Sequence, residues 1–302
     1  MRVGLLLPLF GEDPAAPIER ARVADQLGFD GVFAFDHLVP LGGPADGPSL
    51  EAFSILASVA ASTERLVTGT LVTRVTLRRA GLLAKQAAAL DEMSGGRFVL
   101  AMGTGDDASR IEADAFGFEL PGPAERRQLL EESASACKAL FRGDPWPGGE
   151  LVGSIAGPLL PPPRTPGGPP VWLGGTSDAV VQIAARIADG WNGWGLSEER
   201  FAAKASLLAE TAAAAGRTVE PTWAGLALVG RDRVELDSML AERRDRGLGI
   251  GDMWSGTAEE LAAFLARLEA AGATWAVLML AGPADRAEVV ASHTLAALPG
   301  RG

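Results

Sequence analysis

Short apolar runs alternate with longer segments whose apolar residues recur every three or four positions, and the alternation persists along all 302 residues. Runs of about four to eight apolar residues fit buried strands, whereas the longer period marks amphipathic helices. The pattern predicts strands at 2–7, 31–35, 66–71, 97–102, 170–173, 190–193, 221–229 and 274–280. Helices are predicted at 15–27, 50–61, 80–93, 124–141, 178–188, 198–215, 234–246 with 258–271, and 284–297. The strand at 97–102 is too continuously apolar to be half solvated, so both its faces are covered, as in a parallel sheet flanked by helices.

Several boundaries have a local cause. Gly28, Gly95 and Gly272 follow helical patterns directly, where a left-handed residue closes the last turn. Thr257-Ala258-Glu259-Glu260 fits a capping box, in which hydroxyl and carboxylate satisfy each other's backbone donors. Eight successive βα units match a (β/α)8 TIM barrel with insertions in the βα loops, residues 1–302 forming one domain; a doubly wound sheet is the rival arrangement. Residues 106–122 and 230–256 follow strands and so belong to the catalytic rim of such a barrel. The Pro/Gly-rich segment 143–170 precedes strand five, which places it on the opposite side, away from the rim, as packing or an oligomer contact.

Composition narrows the function. A net charge of −11 and a pI near 4.8 argue against the basic face that a nucleic-acid partner requires. The single cysteine, Cys137, lies within a helical apolar pattern and reads as a small buried hydrophobe. The apolar start at 3–7 is too short for a signal peptide, and no window reaches the ~18 apolar residues of a membrane span. The expectation is a cytoplasmic protein with no membrane partner.

Candidate chemistry concentrates at the predicted strand ends. His37 follows the second strand beside Asp36, where an imidazole can move a proton near neutral pH. His293, in the last helix, reads as a surface residue. Gly174-Gly175-Thr176-Ser177 sits between a strand and a helix start, which suits either a phosphate or an ordinary capped turn. Gly103-Thr104-Gly105-Asp106-Asp107-Ala108 meets the loose G-x-G-x-x-A dinucleotide pattern, but after the fourth strand rather than the first. Arg74, Arg78 and Arg79 form the one tight basic cluster near these ends. No His/carboxylate spacing suggests a metal, and no G-x-S-x-G elbow suggests a hydrolase.

The run from Leu82 to Arg97, LLAKQAAALDEMSGGR, resembles the signature of the bacterial luciferase-like flavin and deazaflavin oxidoreductases. Gly103-Thr104-Gly105, Pro170-Val171-Trp172-Leu173-Gly174-Gly175 and Ala188-Asp189-Gly190-Trp191 extend the resemblance over essentially the whole chain. It implies a (β/α)8 barrel with coenzyme F420, or alternatively FMN, at its carboxyl rim. Phe35-Asp36-His37 looks like the strand-two motif of the deazaflavin branch, with Asp36 in the cofactor site and His37 serving in proton transfer. Thr70 and Leu71 look like the strand-three bulge, which in that branch contains a non-proline cis peptide backing the ring, and Thr73 then approaches the ring's polar edge. Gly103 belongs to the floor beneath the ring, while Gly174, Gly175, Thr176 and Ser177 fall where the family binds the cofactor phosphate.

Asp106 falls where sugar-phosphate dehydrogenases of the branch place a catalytic glutamate, and residues 38–41 have no counterpart of their tryptophan. The resemblance implies a hydride-transfer enzyme that forms a homodimer, and the Ala/Gly/Pro-rich substrate loops, with few fixed cations, suggest a fairly apolar, uncharged small molecule. The alternatives are an FMN-dependent monooxygenase and a non-catalytic flavin- or partner-binding barrel.

Overall fold

β1 (Arg2–Leu6), α1 (Ala15–Gln26), β2 (Gly31–Ala34) and α2 (Ala52–Ser62) open the chain in a computed structural model that describes residues 1–40, 46–249, 251 and 253–298. β3 (Val67–Thr70), β4 (Thr73–Arg74), α3 (Ala80–Ser94) and β5 (Phe98–Gly103) follow. A 3₁₀ turn at Asp107–Ser109, α4 (Arg110–Phe116) and α5 (Pro123–Phe141) complete the first half. The second half contributes β6 (Val171–Gly174), α6 (Asp178–Ile187), β7 (Gly190–Trp194), α7 (Glu198–Ala214), β8 (Glu220–Gly230) and α8 (Arg233–Asp245). β9 (Trp254–Thr257), α9 (Ala258–Ala270), β10 (Trp275–Ala281) and α10 (Arg286–Val289) end it.

Strands at the predicted positions pair in parallel with their neighbours, and β10 bonds both β1 and β8, which closes the ring. The register brings Arg2 beside Trp275 and Trp275 beside Thr222. Closure removes the doubly wound alternative, whose sheet has two free edges. The helices pack outside, and the interior below the rim is filled by Phe33, Trp172 and Trp275, with ring centroids 5.5–6.0 Å apart. Such large rings need small neighbours: a Cβ on Gly190 would stand 2.4 Å from Trp172.

Four differences from the sequence expectation matter. The third predicted strand breaks after Thr70, and its continuation, β4, pairs β5 separately. β9 was hidden in the loop after β8; it lies along Ala227–Gly230, taking over where β7 ends. The predicted last helix keeps only one α turn at 286–289, continuing as a π turn at 290–294 and a 3₁₀ turn at 295–297. Segment 143–170 does not stay away from the rim. Glu132 accepts the amides of Glu150, Leu151 and Val152, and Ile155 is drawn against Gly81 in the first turn of α3.

The glycine stops, the capping box, Cys137 and His293 agree with the expectation. Gly28, Gly95 and Gly272 take φ of +83°, +71° and +98°, and the Thr257/Glu260 capping box forms. Cys137 is fully buried, its thiol pushed up to about 12 by desolvation, and His293 is exposed. Among the described residues no helix is long and apolar enough to cross a membrane, and no cluster of His, Cys, Asp and Glu could hold a metal.

Candidate active site

The rim is built around the break in strand three. Where the β3 ladder to β5 stops, the Thr70 hydroxyl donates to the Ala101 carbonyl at 2.7 Å and accepts from the Ala101 amide at 3.0 Å. One side chain thus replaces two ladder bonds and leaves Leu71 and Val72 free to bulge inward, joined by a cis peptide bond. Val72 comes to lie against Gly103 and Gly174, where an added Cβ would approach its methyls to 2.5 and 2.6 Å. These two glycines therefore make room for Val72. Phe35, Val72 and Met279 cap the aromatic filling of the barrel from above.

β2 delivers the polar groups. Asp36 is 1% exposed, and its carboxylate accepts the Thr73 hydroxyl and the Arg78 guanidinium, the latter also at 3.3 Å to its second oxygen. Arg78 continues to Glu51 at 2.7 Å and lies 4.4 Å over the Phe53 ring. Asp36 and Thr73 are thus tied to Arg78 at the base of the rim.

His37 turns the other way. Its Nδ1 lies at hydrogen-bonding distance from Glu112 Oε1, 2.6 Å, and the Leu38 amide donates to Glu112 Oε2 at 3.0 Å. Arg74 donates to the same carboxylate, and the side chains of Arg74 and Glu112 are both 3% exposed. Burial alone would raise the Glu112 carboxyl, but the His37 and Leu38 hydrogen bonds and the Arg74 charge outweigh it and hold it below the usual range. Phe10 and Phe35 meet the imidazole at 6.4 and 5.8 Å between ring centroids, and Trp194 closes on Phe35 at 5.2 Å.

The remaining predicted residues are dispersed. Gly175 takes φ +151° and its amide donates to Asn192 O at 3.1 Å, while its carbonyl accepts Trp191 Nε1 at 2.8 Å. Ser177 caps α6 through Val180 N, and Thr176 stands half buried beside it. The turn at 174–177 therefore places a helix N-terminus at the rim, a geometry that favours an anion. Asp106 is exposed and caps the 107–109 turn through Ser109 N at 3.2 Å. The carboxylate that meets His37 is that of Glu112. Of the loop 38–41, Leu41 lies outside the described residues.

Glu112 is the functional-looking residue that sequence reasoning missed. It lies among Asp106, Asp107, Asp114 and Glu119, and nothing in local periodicity separates it from them. Its partner is 75 positions away.

The family model described as luciferase-like monooxygenase matches residues 1–297. An F420-dependent glucose-6-phosphate dehydrogenase from Nakamurella multipartita is 32% identical over 183 residues, covering 59% of this chain and 51% of the relative. The chain thus spans about half the length of the curated relatives it matches. An F420-dependent secondary alcohol dehydrogenase in complex with an F420-acetone adduct superposes with a TM-score of 0.84 at 18% identity, over 100% of this chain and 99% of that one. A riboflavin lyase with modified FMN and riboflavin superposes with a TM-score of 0.83 at 17% identity, over 100% and 92%. At such identities the superpositions speak to the barrel alone, whereas the family match runs through nearly every residue of it: the chain belongs to the luciferase-like monooxygenase family.

Proposed function

We propose that this protein is an F420-dependent oxidoreductase that transfers a hydride between the deazaflavin and a small, uncharged organic substrate, with His37 moving the accompanying proton. The single observation that carries the reading is His37 at the carboxyl end of β2, its Nδ1 anchored on a buried carboxylate beside an apolar mouth. The residues fit such a cofactor. Val72, seated on Gly103 and Gly174, offers a flat apolar floor, Phe35 and Trp194 offer an aromatic wall, and the 174–177 turn suits a phosphate. When bound, the deazaflavin supplies the hydride chemistry; the barrel positions it, excludes water and holds the proton at His37.

The curated relatives named above act on a sugar phosphate, and the charge arrangement here argues for something else. Arg74 and Arg78, the two guanidiniums that reach the site, are each neutralised by carboxylates. Their charges are thus balanced before any substrate phosphate arrives. A second reading, an FMN-dependent monooxygenase, is favoured by the family description.

Titration with F420 and with FMN, followed by fluorescence, separates the two. F420 binding at micromolar Kd or tighter is expected, and binding of FMN alone overturns the proposal. With a substrate in hand, His37→Ala should lower kcat by roughly 10²–10⁴-fold while leaving F420 binding intact. An unchanged rate and pH profile would remove His37 from the mechanism.

A further inference from the structure

The geometry points to Glu112 as the positioning residue of the reaction: it fixes His37 as the Nδ1–H tautomer, so that Nε2 is the ring nitrogen left to exchange a proton. This rests on the reading of His37 as the proton-transfer group. A carboxylate with both oxygens engaged by donors can only accept from the imidazole, which sets where the ring proton sits. Its oxygens are held from two elements, by His37 and Leu38 after β2 and by Arg74 on β4, while Glu112 itself comes from α4 in the βα insertion. The insertion thus supplies a part the barrel strands do not.

The charges facing His37 complete the argument. Glu112, Asp36 and Glu51 oppose Arg74 and Arg78, so three carboxylates meet two guanidiniums and one net negative charge remains. A proton on His37 neutralises the cluster. Asp36 is held by Arg78 and Thr73, and Glu51 by Arg78, which leaves Glu112 as the carboxylate that answers to the imidazole. The aromatic rings of Phe10 and Phe35 bound the other sides of the ring.

The chain has only two histidines, so ¹⁵N spectra of the imidazoles can be assigned with His293→Gln, a change at an exposed position. In the unaltered protein, above its titration, His37 should show a protonated Nδ1 and a bare Nε2. In Glu112→Gln, where no carboxylate demands a donor at Nδ1, both ring tautomers should be populated. F420 affinity should change less than about threefold, and kcat should drop roughly 10–100-fold, the usual range for a residue that orients another. Glu112→Asp should restore part of both the tautomer preference and the rate. An Nε2–H tautomer in the unaltered protein, or a Glu112→Gln variant that keeps the single Nδ1–H tautomer, overturns the assignment. The tautomer is read without any variant at Glu112, so a misfolded Gln variant still leaves a decisive result. Absence of F420 binding with the Nδ1–H tautomer intact counts against the functional reading alone, and an Nε2–H tautomer with F420 bound counts against Glu112 alone.

Discussion

Glu112 and Arg74 are both nearly inaccessible to solvent, and a buried charge pair of this kind is dangerous to break: removing one partner strands the other, at about 3–5 kcal/mol. The folded carboxyl titrates below the ordinary 4.5, so its stabilisation is present above that pH and is lost as pH falls through the folded value. Glu112→Gln should therefore lose about 3 kcal/mol at pH 7 and progressively less on acidification, converging on the parent once the folded carboxyl is protonated. Urea unfolding across that pH range checks it, and a constant difference would show that the charge is not what matters. The strand-end position of His37 beside Asp36 was legible in the sequence. Its carboxylate partner was not, because the pairing joins β2 to an insertion 75 residues later and leaves no trace in local periodicity. Asp106 was the more conspicuous acid in the sequence, yet its side chain caps a turn at the surface.

The element that carries the clearest family marker, α3 and the turn into β5, owes its signature to structure. Asp91 accepts the amide and hydroxyl of Thr165 at 2.7 and 2.9 Å, tying α3 to the 143–170 segment. Arg97 donates to carbonyls of Leu66 and Thr63, closing the end of α2, and Ser94 accepts the Arg97 amide. None of these touches the rim. Gly103, at the far end of β5, does. Gly103→Ala would drive its Cβ into Val72, at about 1–3 kcal/mol for overpacking, and should weaken F420 binding by shifting the floor. Val72→Ala removes the methyl that clashes, so the double variant should recover most of the stability lost by Gly103→Ala, a coupling that a double-mutant cycle measures. Additivity of the two changes would refute the packing account. β9 escaped the sequence reading because Trp254-Ser255-Gly256-Thr257 is short and lacks an apolar run; it is a strand because β8 outlasts β7 and leaves an edge to be covered.

For the whole molecule, β10 bonds both β1 and β8, so the first and last strands belong to one ring and the barrel should unfold as one unit. Trp172, 2% exposed and stacked on Phe33, fills the interior of that ring. Trp172→Ala should cost about 3–5 kcal/mol and lower a single unfolding transition as a whole; a second transition would mean that part of the barrel stands alone. The apolar periodicity and the glycine stops marked eight βα units and most strand positions, because a parallel strand covered on both faces must be apolar along its length whatever its neighbours are; that the sheet closes on itself was decided only when β10 met β8. Which side chains meet at the rim was decided only in three dimensions. Arg74 to Glu112, Asp36 to Arg78, and Val72 over Gly103 and Gly174 are contacts across separate βα units. Closing the ring brings those units together, and the one-dimensional pattern of each unit is the same with or without its partner.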